Sequence, residues 1–482
     1  MFLFFWIMDL LIGICKITVS VCAAIWYWNT NKTVSIYGGT FWKGAQKAFL
    51  LLMENSQSTT IGYGSKIQGT SKVHGGPLKS EETANVKKIF GLDPTKTFDV
   101  PEDVRALYNS ITQKGINYEK EWNSLFYKYS LKYPEEAKEI RRRLRGDLTK
   151  GWEKLLPKYT PADKPMATRK LSEIVLNNIC DALPELIGGS ADLTGSNLTR
   201  WKTAKDFQVN DSGIGDYSGR YFHYGVREHG MAAVMNGISA YGCGFIPFGS
   251  TFLNFISYAS GAVRLSSMSK HQVIYIMTHD SVGLGEDGPT HQPIETLASL
   301  RAQPNINVIR PADGNEVSAA YYQALTSKGT PSVICLNRQN VPHLKGSSFE
   351  NALKGGYILQ DEPDPKIILA GTGSEVSLCV DAAELLKKDN IPSRVVSLPC
   401  LSLFDAQGKN YRNEVLPKGI PILSVEAAST FGWAKYAHMS IGIDTFGLSA
   451  PAKNIFKHFG FVKEAVAKKA KFLISEFPKM LH

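Results

Sequence analysis

Glu228 stands between Arg227 and His229 in "YFHYGVREHGMAAVMNGISAYG" (221–242), where a β-rich lead-in gives way to a run of Gly, Ala and Met. A carboxylate entering a buried helix has its pKa raised, by up to about 3–5 units when burial is complete, and so can hold or share a proton near neutral pH. Downstream, "FGSTFLNFISYASGAVRL" spaces Phe252, Phe255 and Tyr258 at steps of three. On a helix or its first turn these rings share one face, as ordinary core packing or as a shelf for a flat heterocycle. "THDSVGLGEDGPTHQP" (278–293) then sets His279, Glu286, Asp287 and His291 on a Gly-rich loop. The loop has no tight HxH or HxxxH pair, so proton transfer and recognition of hydroxyl groups fit it better than a metal does. Arg169 in "ATRKLSEIVL", Asp192, Leu193 and Ser196 in "GGSADLTGSNLTRW", and Arg338 in "CLNRQN" complete the polar set. A lone Arg is most often a surface pair; two of them at element ends would make a forked anion site.

The elements that must position these residues are legible in outline. From about residue 166, short β-branched runs alternate with Gly loops and helical patterns: "PELIGGSADLTGS", "QVIYIMTHDSVGLGEDG", "INVIRPADGNE", "PSVICLNRQ". This is the texture of an α/β fold with a parallel sheet, in which ligands sit beyond the C-terminal strand ends. Pro311 and Asp313 mark a helix start. A further unit begins near 350; its "KIILAGTGSEVSL" reads as strand, Gly turn and helix. "GTGSEV" lacks both the Lys-Ser/Thr of a P-loop and the third Gly of a dinucleotide fingerprint, so it is a tight turn. Upstream, 80–165 is a charged, helical connecting segment with prolines at 94, 101, 134, 157, 161 and 165, and 59–79 reads as a strand end and extended loop.

Composition bounds the function. A chain of 482 residues holds two or three domains. Its net charge of +10 is modest and spread out, which suits a small anionic substrate and not nucleic acid. The densest basic run, Arg141, Arg142, Arg143 and Arg145, reads as a solvated helix face. The seven cysteines are scattered, with no CxxC pair, which argues for a reducing, cytoplasmic compartment. Residues 1–28 form an apolar stretch in which only Asp9 and Lys16 are charged, long enough to span a bilayer. Each of those charges would cost about 2.5–3.5 kcal/mol there, so a membrane anchor is the less favoured reading beside an aberrant start.

From about Thr59 onward, "GGSADLT.SNLTRW", "YGVREHGMAAVMNGISAYG", "GSTFLNFISYASGAVRLS", "THDSVGLGEDGPTHQPIETLASLRAQPNINVIRPADGNEVSAAY" and "TPSVICLNRQNVP" resemble transketolases, those of yeast most of all. The resemblance implies a thiamine diphosphate-binding fold. Its expected parts are an unmatched N-terminus (1–58), the tail of the diphosphate-binding domain with a linker (59–165), a pyrimidine-binding catalytic domain (166–349) and a C-terminal α/β domain (350–482). It implies transfer of a two-carbon ketol unit between sugar phosphates, in the pentose phosphate pathway, by a homodimer or a heterodimer with a full-length transketolase. Glu228 would hydrogen-bond the ring nitrogen of the cofactor's aminopyrimidine, which Phe252, Phe255 and Tyr258 would shelve, with Asp192 and Leu193 beside it. His279, Arg169, Ser196 and Arg338 match sugar-phosphate binders, and Asp287 and His291 match contacts to substrate hydroxyls, with His291 also assisting catalysis. His74, in "SKVHGGPLK", matches a histidine that moves protons at the donor sugar.

One departure stands against the match. The family anchors the cofactor's diphosphate through magnesium or calcium, held by Gly-Asp-Gly and an Asn some way on, and no GDG occurs in this sequence. The expectation is therefore that no metal ligands lie in this chain, that its N-terminus is truncated or aberrant, and that it has little activity alone. The alternative is a non-catalytic family fragment that assembles with a full-length partner.

Overall fold

The computed structural model describes residues 60–480. The apolar stretch 1–28 and the irregular stretch 29–58 lie outside the described residues. No described helix is long and apolar enough to cross a membrane. The chain divides into two compact units at Ala137/Lys138.

In the first unit no strand is formed among the described residues 60–79, where the sequence leads one to expect a strand end over 59–79. The segment is a series of turns, because Gly62, Gly64, Gly69 and Gly75 all adopt positive φ, where an extended strand cannot continue. Two helices follow, α1 (Ser80–Ile89) and α2 (Glu102–Lys132); Pro101 caps the second, at one of the expected breaks. Helix α3 (Pro134–Leu144) opens on a proline, whose missing N–H costs nothing in a first turn.

The second unit contains two sheets. The first is built from β1 (Leu186–Ser190), β2 (Asp206–Phe207), β3 (Gly215–Asp216), β4 (Tyr221–His223), β5 (Ile246–Phe252), β6 (Ile274–Thr278), β7 (Asn307–Ile309) and β8 (Ser332–Leu336). All pairings are parallel, in the order β3-β2-β4-β1-β5-β6-β8-β7. Side chains alternate across it as the period of a strand requires. Ile274 and Ile276 enter a core with α4 (Thr168–Ile179) and α7 (Gly314–Thr326). Tyr275 and Met277 enter the opposite core with α5 (Glu228–Tyr241) and α6 (Ser260–Met268). The glycines of "LIGGS" are there for strand spacing: a Cβ on Gly188 would stand 1.9 Å from the Phe248 carbonyl oxygen, and one on Gly189 1.8 Å from that of Phe222. Asp313 caps α7, accepting from the backbone N–H groups of Asn315 and Glu316 at 3.1 Å each, as the sequence leads one to expect.

The second sheet runs β13 (Met439–Ile441), β12 (Ile422–Val425), β10 (Ile367–Gly371), β11 (Ser393–Ser397), β9 (Tyr357–Gln360), parallel except at β9. The turn in "GTGSEV" joins β10 to α8 (Glu375–Lys388), which packs against α9 (Lys463–Met480). The basic run of α3 is a solvated face only in part: Arg141 and Arg145 are exposed, but Arg142 and Arg143 are not free of the fold. Arg142 is 14% exposed and is paired with Glu139 and the buried Glu185, and Arg143 donates to Glu139 at 2.7 Å.

Candidate functional site

The first sheet brings its chemistry to one edge. Asp192 and Leu193 follow β1, Phe252 ends β5, His279 follows β6 and Arg338 follows β8, so four parallel strands deliver these residues at their C-terminal ends. Chain order reverses around β1, between β4 and β5, which is where an open parallel sheet forms a crevice. Asp192 and His279 hold φ of 60° and 58°, the left-handed region that non-glycine residues rarely occupy outside functional turns.

The aromatic ladder is built by a change of helix type. Residues 253–259 form a 3₁₀ turn, whose three residues per turn place i and i+3 on one face. Phe252 and Phe255 stack at 5.5 Å between centroids and 14° between planes, and Tyr258 continues at 6.1 Å from Phe255. Exposure rises along the ladder: Phe252 is buried, Phe255 half-buried and Tyr258 70% exposed. Core packing alone would have buried all three. The His279 ring lies 3.8 Å from Phe252, and His291 stands edge-on to Phe255 at 5.1 Å.

His279 sits on a polar floor that sequence reasoning missed. Thr278 Oγ1 lies 2.8 Å from His279 Nδ1 and donates to Asn197 Oδ1 at 2.7 Å; Asn197 Nδ2 donates to Ser190 Oγ at 2.9 Å. These residues carry no motif of their own, and only the adjacency of Thr278 to His279 could have flagged them. Arg169 Nη1 donates to the Ser196 carbonyl at 2.6 Å, so Ser196 meets Arg169 through its backbone, while Arg169 Nε is buried without a partner. Arg338 Nη1 donates to the Leu284 carbonyl at 2.6 Å. The expected fork is therefore present as two guanidiniums near one imidazole. Burial first, then the charges of Arg169, Arg338 and His291, push the His279 pKa from 6.5 down to about 3.

That shift has a measurable sign. With the folded pKa below the unfolded one, the unfolded chain takes up the proton first. The stability contributed by neutral His279 is complete above about pH 6.5 and is lost as pH falls towards 3. In an NMR titration the His279 imidazole is expected to stay neutral down to about pH 3, and to move upward when inorganic phosphate is added. A His279 that titrates near 6.5 without phosphate would contradict the geometry.

Glu228 opens α5 and is 8% exposed. Its carboxylate makes no hydrogen bond or ion pair among the described residues. The neighbouring Arg227 donates weakly to the Tyr224 carbonyl at 3.4 Å, and His229 is exposed, so neither pairs with it. Helix α5 packs on the 3₁₀ turn that carries the aromatic ladder. A buried carboxylate without a partner, beside a graded stack of rings, fits a flat heterocycle that carries a ring nitrogen. Among the described residues no three His, Cys, Asp or Glu side chains converge to hold a metal ion. Asp287 is exposed on the loop. His74 belongs to the first unit, where it is exposed and closes a short turn through its backbone N–H to the Ser71 carbonyl.

Three family models cover most of the sequence: "Transketolase, thiamine diphosphate binding domain" at 51–149, "Transketolase, pyrimidine binding domain" at 164–343 and "Transketolase-like TK C-terminal domain" at 355–462. The chain belongs to the transketolase family. The first of these matches begins at residue 51, ahead of the Thr59 read from the sequence. Transketolase 1 of Saccharomyces cerevisiae is 58% identical over 87% of this chain and 62% of its own length. The probable transketolase of Schizosaccharomyces pombe is 52% identical over 93% of this chain and 66% of its own. A crystal structure of transketolase from Pichia stipitis in complex with sedoheptulose 7-phosphate superposes with a TM-score of 0.83 at 54% identity, over 87% of this chain and 62% of that one. The chain thus spans a little under two thirds of the length of these relatives. With the thiamine diphosphate-binding family shown, the cofactor expected from the sequence stands, and Glu228 with Phe252, Phe255 and Tyr258 fits its aminopyrimidine.

Proposed function

We propose that the chain takes part in moving a two-carbon ketol unit between sugar phosphates, the exchange reaction of the pentose phosphate pathway. The observation that carries this reading is the partnerless Glu228 carboxylate on the helix packed against the Phe252–Phe255–Tyr258 ladder. When bound, thiamine diphosphate supplies a carbon nucleophile that accepts the ketol unit. The chain's own residues do the rest. Glu228 holds a proton at the aminopyrimidine ring nitrogen, and the aromatic rings keep that heterocycle flat and dry. Asp192 and Leu193 border the same crevice. Arg169 and Arg338 bind the phosphate, with His279 between them as a neutral hydrogen-bonding group. His291 and Asp287 contact hydroxyls, and His291 moves protons there. His74 has the same role at the donor sugar, carried over from the family motif alone.

The domain division at about residues 59, 166 and 350 belongs to this reading, as does a dimer. Val226 and Tyr258, exposed by 74% and 70%, offer apolar surface beside the crevice that a second chain of the same family would cover. A reducing, cytoplasmic compartment suits the five described cysteines, none of which forms a disulfide.

The test is a ketol-transfer assay with thiamine diphosphate and magnesium, on the chain alone and mixed with full-length yeast transketolase, together with sedimentation. Arg338→Ala is expected to weaken fructose 6-phosphate binding by about 10–100-fold, from the loss of a charged hydrogen-bonding partner. No sugar-phosphate binding and no transfer in either arm would end the proposal. Sedimentation as a monomer in all mixtures would remove the dimer from it.

A further inference from the structure

The C-terminal sheet is given no chemistry by the sequence, yet a segment after its last strand reaches the loop that carries Asp287 and His291. Gln292, 2% exposed, closes that loop. Both hydrogens of its amide are used: Nε2 donates to the Gly285 carbonyl of the loop at 2.9 Å and to the Leu448 carbonyl of the C-terminal segment, also at 2.9 Å. One residue on, Ser449 Oγ donates to the Glu286 carbonyl at 2.6 Å, and the Ser449 Cβ lies 3.3 Å from where a Cβ on Gly288 would stand. Gly447 is buried against the same amide; a Cβ there would sit 1.7 Å from Gln292 Oε1, so only glycine admits the approach. The helix Ala452–His458 packs over Val282–Leu284, which closes the same loop from its start.

From within the first sheet the loop is held at two points, by Asn254 Nδ2 to the Thr290 carbonyl at 2.6 Å and by Arg338 Nη1 to the Leu284 carbonyl at 2.6 Å. Between those points, Gly285 and Glu286 present carbonyls that two side chains read: Gln292, of the loop itself, which is also tied to the Leu448 carbonyl, and Ser449 of the 447–449 segment. Apart from these two contacts the stretch from Gly285 to Gly288, with Gly285 and Gly288 both at positive φ, has no side-chain hydrogen bond to the rest of the fold among the described residues.

We propose that Gln292 and Ser449, with Gly447 granting the approach, are positioning residues: they hold the Asp287–His291 loop at the distance where it meets the hydroxyls of a phosphorylated sugar. The C-terminal segment thereby sets recognition of the carbon chain, while Arg169, which is bound to the Ser196 carbonyl and not to the loop, holds the phosphate independently of it. The proposal rests on the functional reading above only for the identity of the ligand.

The test uses the full chain and three variants: Gln292→Met, which keeps size and removes both donors; Ser449→Ala, which removes one surface hydroxyl; and Gly447→Ala, which pushes on Gln292 from the other side. Amide hydrogen exchange over residues 284–291 is expected to quicken about tenfold or more in Gln292→Met and Gly447→Ala, and by a few fold in Ser449→Ala, with the strands of the C-terminal sheet unchanged. Fructose 6-phosphate should bind about tenfold more weakly to Gln292→Met, while inorganic phosphate binds as to the parent chain. Unchanged exchange over 284–291 in all three variants overturns the brace, and so does an equal loss of sugar phosphate and inorganic phosphate, which marks general damage. Should Gln292→Met fail to fold, Ser449→Ala at the surface decides by exchange alone. A parent chain that binds no fructose 6-phosphate counts against the functional reading, and the exchange result then still decides the brace.

Discussion

Replacing Arg310 by Met is expected to cost roughly 3–5 kcal/mol of stability, the cost of removing one partner from a buried ion pair. Arg310 follows β7, is 0% exposed, and joins the two sheets. Its Nε donates to Asp280 at 2.8 Å, and its Nη1 reaches the Thr372 carbonyl and hydroxyl at 3.0 Å each, as well as the Glu375 carboxylate. Gly373 lies so close that a Cβ there would stand 2.8 Å from the guanidinium carbon. Arg301 and Glu426 extend the network through two bonds of 2.7 Å. Burial alone would raise the Glu426 pKa, but the charge and hydrogen bonds of Arg301 hold it at about 2. Met fills Arg310's volume but leaves Asp280 and Glu375 buried with their charges uncompensated. The shift is read from the urea midpoint of Trp fluorescence, with Arg310→Met/Asp280→Asn expected to recover part of the loss through coupling. A midpoint change equivalent to less than about 1 kcal/mol would show that the sheets are held by their apolar contacts alone. Because the pairs are dry, the loss should persist at high salt.

The alternation of β-branched runs with helical patterns was enough to place the first sheet, because a strand between two helical layers must be apolar on both faces. "QVIYIMT" and "PSVICL" are of that kind. The ladder Phe252, Phe255 and Tyr258 was legible from its spacing of three, although the spacing is met by a strand end and a 3₁₀ turn instead of an α-helix. The roles of Gln292 and Ser449 were invisible, since each acts on carbonyls of the 282–292 loop that no side-chain pattern marks. Arg310 was equally hidden. "INVIRPADGNE" reads as a helix start, and only the fold reveals that its Arg sits between Asp280 and Glu375. "TTIGYGS" misled in the opposite direction: β-branched residues suggested a strand, but the positive φ values of Gly62 and Gly64 make it a turn. Long-range polar contacts join residues far apart in the chain, and local propensity carries no information about them.

Under the proposed function, Glu228→Ala is expected to lower any ketol transfer in which this chain takes part by about 10²–10⁴-fold, the range that a positioned proton-transfer group contributes. The same substitution should leave the unliganded chain as stable as before or slightly more so. The reason is that Glu228 has no side-chain partner to lose in the free protein. It is 8% exposed, at the first turn of α5, and neither Arg227 nor His229 neutralises it. Such a group is kept where a ligand completes it. The two variants that separate charge from size are therefore informative together. Glu228→Gln keeps the shape and can still hydrogen-bond, but cannot exchange a proton with a ring nitrogen; Glu228→Ala removes the contact altogether. Thermal unfolding with and without thiamine diphosphate reads the difference: ligand-induced stabilisation should be reduced in Gln and lost in Ala, since binding raises stability only in proportion to affinity for the folded state. Transfer should fall in both. If Glu228→Ala destabilised the unliganded chain by about 2 kcal/mol or more, the cost of losing a satisfied buried group, the carboxylate would be structural and the site assignment would fall with it.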